Sequence, residues 1–293
     1  MYLQSLANAV PSHAFTQKEC WDIFIQSETP KRLKQRSINI IQKVLLGDNG
    51  IDKRYFALPE LETLFELDAE SLNRAFEREA PLLAGQAFDE ALAMTNLNAG
   101  EIDALFVCTC TGYLCPGISS HVAEQKGLRP DLFLQDIVGL GCGAAIPTLR
   151  SASHFLSANP HSKVAVIAVE ICSAAFFLEN DPGVLISACL FGDGASASIW
   201  SADEKATGLY CHDFDTLHLP EYRNKLRFEN SQGKLRNRLH NSVPELASES
   251  VSKLFYRQNG KSNNVGRIIS HSGGRDVLEA IESALPDYSL SES

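Results

Sequence analysis

The stretch Gln135-Asp136-Ile137-Val138-Gly139-Leu140-Gly141-Cys142-Gly143-Ala144-Ala145-Ile146-Pro147 decides how the chain is read. It has the form of a buried strand ending, a cysteine set among glycines, and the first turn of a helix. Ala145, Ile146, Leu149, Ala152, Phe155 and Leu156 carry it onward with apolar side chains at helical spacing. Cys142 is thereby placed where unpaired backbone N–H groups and the helix dipole favour negative charge. A thiol in such a place has a lowered pKa and exists partly as thiolate, the form that attacks carbonyl carbon. Gly139, Gly141 and Gly143 take side chains away from the sulfur and leave room for a substrate. The competing reading is a small cysteine packed at a strand-to-helix turn, since most cysteines are inert packing residues.

Outward from this stretch, apolar runs alternate with helical patterns. Asp103 to Cys110 (DALFVCTC), Leu132 to Val138 and Lys163 to Ile171 (KVAVIAVEI) read as strands. Strands and helices alternating every ~30 residues imply an α/β fold with helices covering the sheet faces. Upstream, residues 1–10 suggest a strand, and Thr16 with Glu19 forms a capping box opening a helical region towards Val44, interrupted at Pro30. The turn Gly47-Asp48-Asn49-Gly50 closes that region, and a helix follows from Asp68 to about Leu97, kinked at Pro81. A short helix is expected over Ser119–Lys126. Downstream, Leu190 to Ala195 (LFGDGA) enters a strand finishing at Ile199-Trp200, after which residues 201–264 turn polar. The boundary is placed near Asp203, giving an N-terminal half, 1–202, and a C-terminal part, 203–293. Val265–Ser270 reads as a strand, and Gly273-Gly274 opens a helix carrying Val277, Leu278, Ile281 and Leu285.

Composition narrows the classes. A chain of 293 residues suits two domains or two packed halves. No run approaches ~18 consecutive apolar residues, so no membrane-spanning helix is expected. The first residues lack a basic segment and a long apolar core, so no secretion signal is read there. Eight cysteines without such a signal imply a reducing compartment, and the cytoplasm is the expected location. A net charge of −10 argues against nucleic acid as a partner. Two basic clusters, Lys31/Arg32/Lys34/Arg36 and Arg223/Lys225/Arg227/Lys234/Arg236/Arg238, read as solvated faces, with anionic small molecules left open.

His271 ends an apolar strand as Cys142 does, with Ser272-Gly273-Gly274 clearing space beside it. An imidazole near a thiolate holds the sulfur ionised or donates to an oxyanion. With these residues on the page, the chain resembles the type III polyketide synthases, the chalcone-synthase-like branch of the thiolase superfamily. Gly50 to Tyr55 (GIDKRY), Cys108 to Gly117 (CTCTGYLCPG), Gly127 to Pro130 (GLRP), Gly141-Cys142, LFGDGA and Ser270 to Gly274 (SHSGG) match family segments in order.

The resemblance implies a thiolase-like layered αβαβα fold of two pseudo-equivalent halves, the second incomplete here. It also implies an acyltransferase that performs decarboxylative Claisen condensation of malonyl-CoA onto a CoA-bound starter. Cys142 would carry the acyl group and His271 would stabilise the developing negative charge, aided in the family by an asparagine. Phe176 lines up with a gatekeeper phenylalanine, Cys110 and Thr111 with cavity-wall positions, and Cys115 with a loop residue reaching across a homodimer interface. A second gatekeeper position falls on Asn237. No cofactor or metal is implied; coenzyme A thioesters are substrates.

Two departures stand out: Ser272 replaces the family's proline, and no asparagine follows His271, so the sequence reads as C-terminally truncated. Two alternatives stay beside the main reading. One is a β-ketoacyl carrier-protein synthase III-like enzyme, disfavoured by SHSGG. The other is a catalytically impaired homologue or fragment that binds acyl-CoA. A papain-type protease lacks its cysteine signature, and a zinc site from Cys108, Cys110, Cys115 and His121 lacks standard spacing.

Overall fold

A computed structural model of the chain describes residues 1–48, 50–58, 60–203, 209–259 and 265–291. Strands Tyr2–Ala9 (β1) and His13–Thr16 (β2) lead into helix Gln17–Gln26 (α1). Thr16 caps that helix as expected: its hydroxyl accepts the Glu19 N–H, and the Glu19 carboxylate accepts the Thr16 N–H at 2.7 Å. A 3₁₀ turn at Thr29–Arg32 carries Pro30, whose ring fits a first turn but not a helix interior, and so separates α1 from Gln35–Leu46 (α2). Lys53–Phe56 (β3) pairs antiparallel with β2. Next come Ala69–Ala93 (α3), Ala104–Thr109 (β4), Ile118–Gln125 (α4) and Phe133–Val138 (β5). Ala145–Ala158 (α5), Lys163–Glu170 (β6), Pro182–Leu190 (α6) and Gly194–Ser201 (β7) follow. The polar stretch contains a hairpin, Leu226–Ser231 (β8) with Lys234–Leu239 (β9), and helix Val243–Asn259 (α7). Ile268–Ile269 (β10), Arg275–Ala284 (α8) and Leu290–Ser291 (β11) end the described chain.

The central sheet has the order β1-β7-β6-β4-β5, with β6, β4 and β5 parallel and β1 and β7 antiparallel. Its middle strands are buried on both faces, and the two-residue strand period divides them between two cores. Leu105, Val107, Ala165, Ile167, Ala197 and Ile199 face the larger core with α3, while Ala104, Phe106, Val164, Val166 and Trp200 face the smaller one beneath α5. This accounts for the unbroken apolar runs in the sequence, since a strand covered on both sides shows no polar alternation. Helix α3 lies close against the sheet because Ala80, Ala84, Ala87 and Ala91 form a fully buried stripe, and it runs without a break through Pro81. Asp68 caps it by accepting the Ser71 N–H at 2.7 Å.

Two expectations need correction. The strand before Cys142 was expected to be buried, yet β5 is a sheet edge with Phe133, Leu134 and Val138 exposed, because β4 covers only one of its sides. Cys142 stands where the sequence placed it, between the strand and the helix: it lies in a 3₁₀ turn, Gly141–Gly143, just before α5 begins at Ala145. The strand expected over Val265–Ser270 is two residues long and pairs in parallel with Leu290–Ser291. Asn49, from the expected turn, lies outside the described residues.

Phe88 is completely buried where α3 meets the sheet. Phe88→Ala is expected to lower stability by roughly 3–5 kcal/mol, read from the urea midpoint at unchanged slope.

Candidate active site

The three parallel strands deliver their carboxyl ends side by side, the position where open α/β sheets place ligands. Cys110 and Thr111 follow β4, Cys142 follows β5 by four residues, and Glu170 closes β6. Register fixes this proximity: Thr109 pairs with Val138, and Cys108 with Ala168. Gly139 and Gly141 have φ of +85° and +57°, a backbone that turns the chain sharply after β5 and that L side chains rarely adopt. A Cβ added at Gly139, Gly141 or Gly143 would meet nothing within 4 Å, so the sulfur faces open space as the glycines suggested. Cys142 is exposed, and Val138, Leu140 and Ile146 around it present apolar side chains to solvent.

His271 arrives from the far end of the chain, between β10 and α8, and its imidazole lies beside the Cys142 thiol, near enough to lower it. The Gly273 N–H donates to the His271 carbonyl at 2.8 Å, and Gly274 at φ +101° turns the chain into α8. Cys110, just past the same end of the neighbouring strand β4, is a second neighbour of that thiol. Cys110 and then His271 pull the Cys142 thiol well below the ordinary thiol range, against the cost of desolvation. The His271 imidazole is raised in turn by Cys142. Cys110 moves the other way, raised by Cys142, by burial and by Glu170. These shifts favour a thiolate on Cys142 beside an imidazolium, the pairing in which a cysteine serves as a nucleophile.

Glu170, which the sequence does not single out, ties the end of β6 to the residues that follow β4. Its carboxylate accepts the backbone N–H of Cys110 at 2.9 Å and of Thr111 at 3.0 Å. It also accepts the hydroxyls of Thr111 at 2.7 Å and Thr109 at 3.2 Å. Burial pushes its pKa up while these donors hold it down. The Thr111 hydroxyl oxygen then accepts the Ile171 N–H at 2.9 Å, locking β4 to β6 beyond their last paired residues. A carboxylate closing an otherwise apolar strand was the available signal.

The remaining candidates divide. Thr111 lines a pocket with Cys172, Phe176, Phe191, Phe228 and Asn237, close to the strand ends. Phe176 is buried, stacked on Phe65 at 5.6 Å and edge-on to Phe56 at 5.8 Å, and so lies between this pocket and a second, apolar one. Asn237 donates to the Ser187 hydroxyl at 2.6 Å and pairs across the hairpin with Phe228, which supplies an aromatic ring next to the position where the family expectation placed one. Cys115 is exposed in the loop between β4 and α4.

GIDKRY and LFGDGA serve the frame. Arg54 is buried and donates to the carbonyls of Ala188 at 2.8 Å and Phe191 at 2.9 Å, so it is committed to the interior. Asp193 accepts from Ala57 N–H at 2.7 Å and from Ser173 through both N–H and hydroxyl, at 2.8 and 2.5 Å. Arg236, from the second basic cluster, is paired with Glu179 and Glu229. Among the described residues no three His, Cys, Asp or Glu side chains converge as metal ligands, and no helix is long and apolar enough to cross a membrane.

A family model described as FAE1/type III polyketide synthase-like protein matches residues 9–210, carrying Cys142 and the LFGDGA block. The chain belongs to that family. Type III polyketide synthase-like proteins are acyltransferases, and this member has curated relatives with matching names. It is 26% identical over 287 residues to 3,5-dihydroxyphenylacetyl-CoA synthase of Amycolatopsis orientalis, spanning 94% of this chain and 74% of that protein. It is 26% identical over 278 residues to 1,3,6,8-tetrahydroxynaphthalene synthase of Streptomyces griseus, spanning 93% and 73%. The crystal structure of 1,3,6,8-tetrahydroxynaphthalene synthase from Streptomyces coelicolor A3(2) superposes with TM-score 0.85 at 22% identity, covering 98% of this chain and 82% of that one. PKS-I from the brown alga Ectocarpus siliculosus gives TM-score 0.85 at 20% identity, covering 99% and 80%. These likenesses show the thiolase-like α/β fold of the polyketide synthase.

Replacing His271 by alanine removes an imidazole that lowers the Cys142 thiol. His271→Ala is expected to raise the Cys142 pKa and slow its alkylation by iodoacetamide ~10-fold at about pH 6, with little change at about pH 9 where thiolate forms regardless.

Proposed function

We propose that the chain catalyses decarboxylative Claisen condensation of malonyl-CoA onto a CoA-bound starter through an acyl thioester on Cys142. The observation that carries this reading is Cys142, exposed past the strand ends with the His271 imidazole beside it lowering its thiol. The Cys142 thiolate attacks the starter's thioester carbon, its carbonyl electrons move to oxygen, and collapse of that intermediate expels coenzyme A as thiolate, which takes up a proton. Malonyl-CoA then loses carbon dioxide, and the electrons of the broken C–C bond form the enolate of acetyl-CoA. The enolate carbon attacks the acyl-cysteine, a new C–C bond forms, and the Cys142 thiolate is released to begin again. His271 is a donor to the thioester oxygen, where negative charge builds during decarboxylation. The malonyl carboxylate supplies the carbanion, so the residues need no bound cofactor to reach it. Thr111, Phe176, Phe228 and Asn237 are walls that bound the growing chain. The family match supports the polyketide branch over a carrier-protein-dependent synthase.

A homodimer is part of the same proposal. Among the described residues β5 pairs only with β4, and its free side exposes Phe133, Leu134 and Val138 next to Leu140 and Ile146. An apolar strand edge of this kind is covered in native proteins, and a second copy of the same edge is self-complementary about a two-fold axis.

Mass spectrometry of protein incubated with an acyl-CoA is expected to find the acyl mass on the Cys142 peptide, absent from Cys142→Ala. Adding malonyl-CoA is expected to discharge it as an extended product, whereas acylation without extension would leave only an acyl-CoA-binding homologue. Light scattering is expected to give twice the chain mass, reverting to one chain in Leu134→Lys.

A further inference from the structure

We infer that the Asn237 side-chain amide sets specificity: it hydrogen-bonds the ketone or enol oxygens of an extended β-ketoacyl chain and favours that chain over a plain hydrocarbon one. This inference rests on the pocket past the strand ends holding the growing chain of a malonyl condensation. That pocket has aromatic walls, among them Phe176, Phe191 and Phe228. Among the described residues lining it, only Thr111, Ser187 and Asn237 have side chains with oxygen or nitrogen. Two of the three are already committed. The Thr111 hydroxyl donates to Glu170 at 2.7 Å and accepts the Ile171 N–H at 2.9 Å. The Ser187 hydroxyl donates to the Gly183 carbonyl at 2.8 Å and accepts an Asn237 N–H at 2.6 Å. A hydroxyl has one proton to give, and Ser187 gives it to Gly183, so the Asn237 nitrogen faces Ser187 and its oxygen faces away. Asn237 keeps its second N–H and its Oδ1 without a protein partner. Among the described residues, the one side-chain polar atom both sealed from solvent and unpartnered is Thr29 Oγ1. The Asn237 oxygen is therefore open, and because the residue is only 7% exposed, it opens onto the pocket it lines.

The hairpin holds this amide in place. Gln232 and Gly233 at its tip have φ of +54° and +77°, the turn that fixes the register pairing Phe228 with Asn237. Strand alternation sends the neighbouring side chain to the other face. There Arg236 donates to Glu229 across the hairpin at 2.6 Å and to Glu179 at 2.6 Å. A Cβ built on Gly183 would lie 2.6 Å from the Leu239 carbonyl oxygen, so α6 and β9 meet through their backbones and the hairpin has little room to shift. Each condensation leaves a ketone on the acyl chain. Its oxygen accepts an N–H, and its enol form offers an O–H to a carbonyl oxygen. A hydrocarbon acyl group offers neither, and filling the pocket with one would leave the buried amide desolvated and unpaired. The discrimination therefore acts after the first condensation, on chains that already carry oxygen.

The test compares Asn237→Val with Asn237→Thr, side chains of one shape of which only threonine has a donor and an acceptor. With hexanoyl-CoA and malonyl-CoA as substrates, mass spectrometry counts the malonyl units in each product. The ratio of products with two or more units to products with one is expected to fall ~5-fold in Asn237→Val, the effect of one neutral hydrogen bond, and to recover most of that in Asn237→Thr. A valine ratio equal to wild type, a threonine ratio as low as valine, or a wild type that stops at one unit overturns the inference while leaving the condensation in place. Where Asn237→Val does not fold, calorimetry on Cys142→Ala protein decides: 3-oxooctanoyl-CoA is expected to bind ~5-fold more tightly than octanoyl-CoA, and equal or weaker binding overturns the inference. Wild type that yields no extended product overturns the proposed function itself, and this inference with it.

Discussion

The meeting of the Cys142 thiol with the His271 imidazole, brought from distant parts of the chain, is the interaction around which the site is arranged. A thiolate on an open surface is ordinarily a minor species at neutral pH. Here the neighbours of the Cys142 thiol, Cys110 and His271, shift it toward the ionised form against the cost of desolvation. One neighbour comes from the end of β4 in the central sheet and the other from the loop before α8. The chemistry therefore depends on how firmly the sheet presents its strand ends.

The sheet does so because its middle is packed from both faces. Strands β4 and β6 alternate their side chains between two cores, and a slip of one residue would exchange the cores' contents. Beyond the last paired residues, polar side chains take over: Glu170 and Thr111 tie β4 to β6, and the Ser119 N–H and hydroxyl hold Asp136 of β5. The blocks by which the family was recognised fall into two kinds. Cys142 and His271 lie together past the strand ends, whereas Arg54 and Asp193 fasten β3 to the turn before β7 from inside.

The core was legible because strands buried on both faces announce themselves as continuous apolar runs, and because Thr16, Pro30 and Asp68 use local chemistry to start or stop helices. β5 was misjudged for the same reason: apolar content marks a strand without saying how many neighbours it has. The hairpin β8–β9 and helix α7 went unread in a polar stretch, where pairing such as Arg236 with Glu179 and Glu229 depends on contacts distant in sequence. Glu170 meets the Cys110 and Thr111 N–H groups across about sixty positions, and only the β4–β6 pairing reveals that they meet.

Asp193 draws its partners from residues 57 and 173 while sitting at the mouth of β7. No fragment of the chain that lacks either segment can neutralise this carboxylate, so each such fragment keeps an expensive interior charge or stays open to water there. The turn before β7 therefore carries an interior carboxylate that is fully satisfied only when two segments more than a hundred positions apart are both in place.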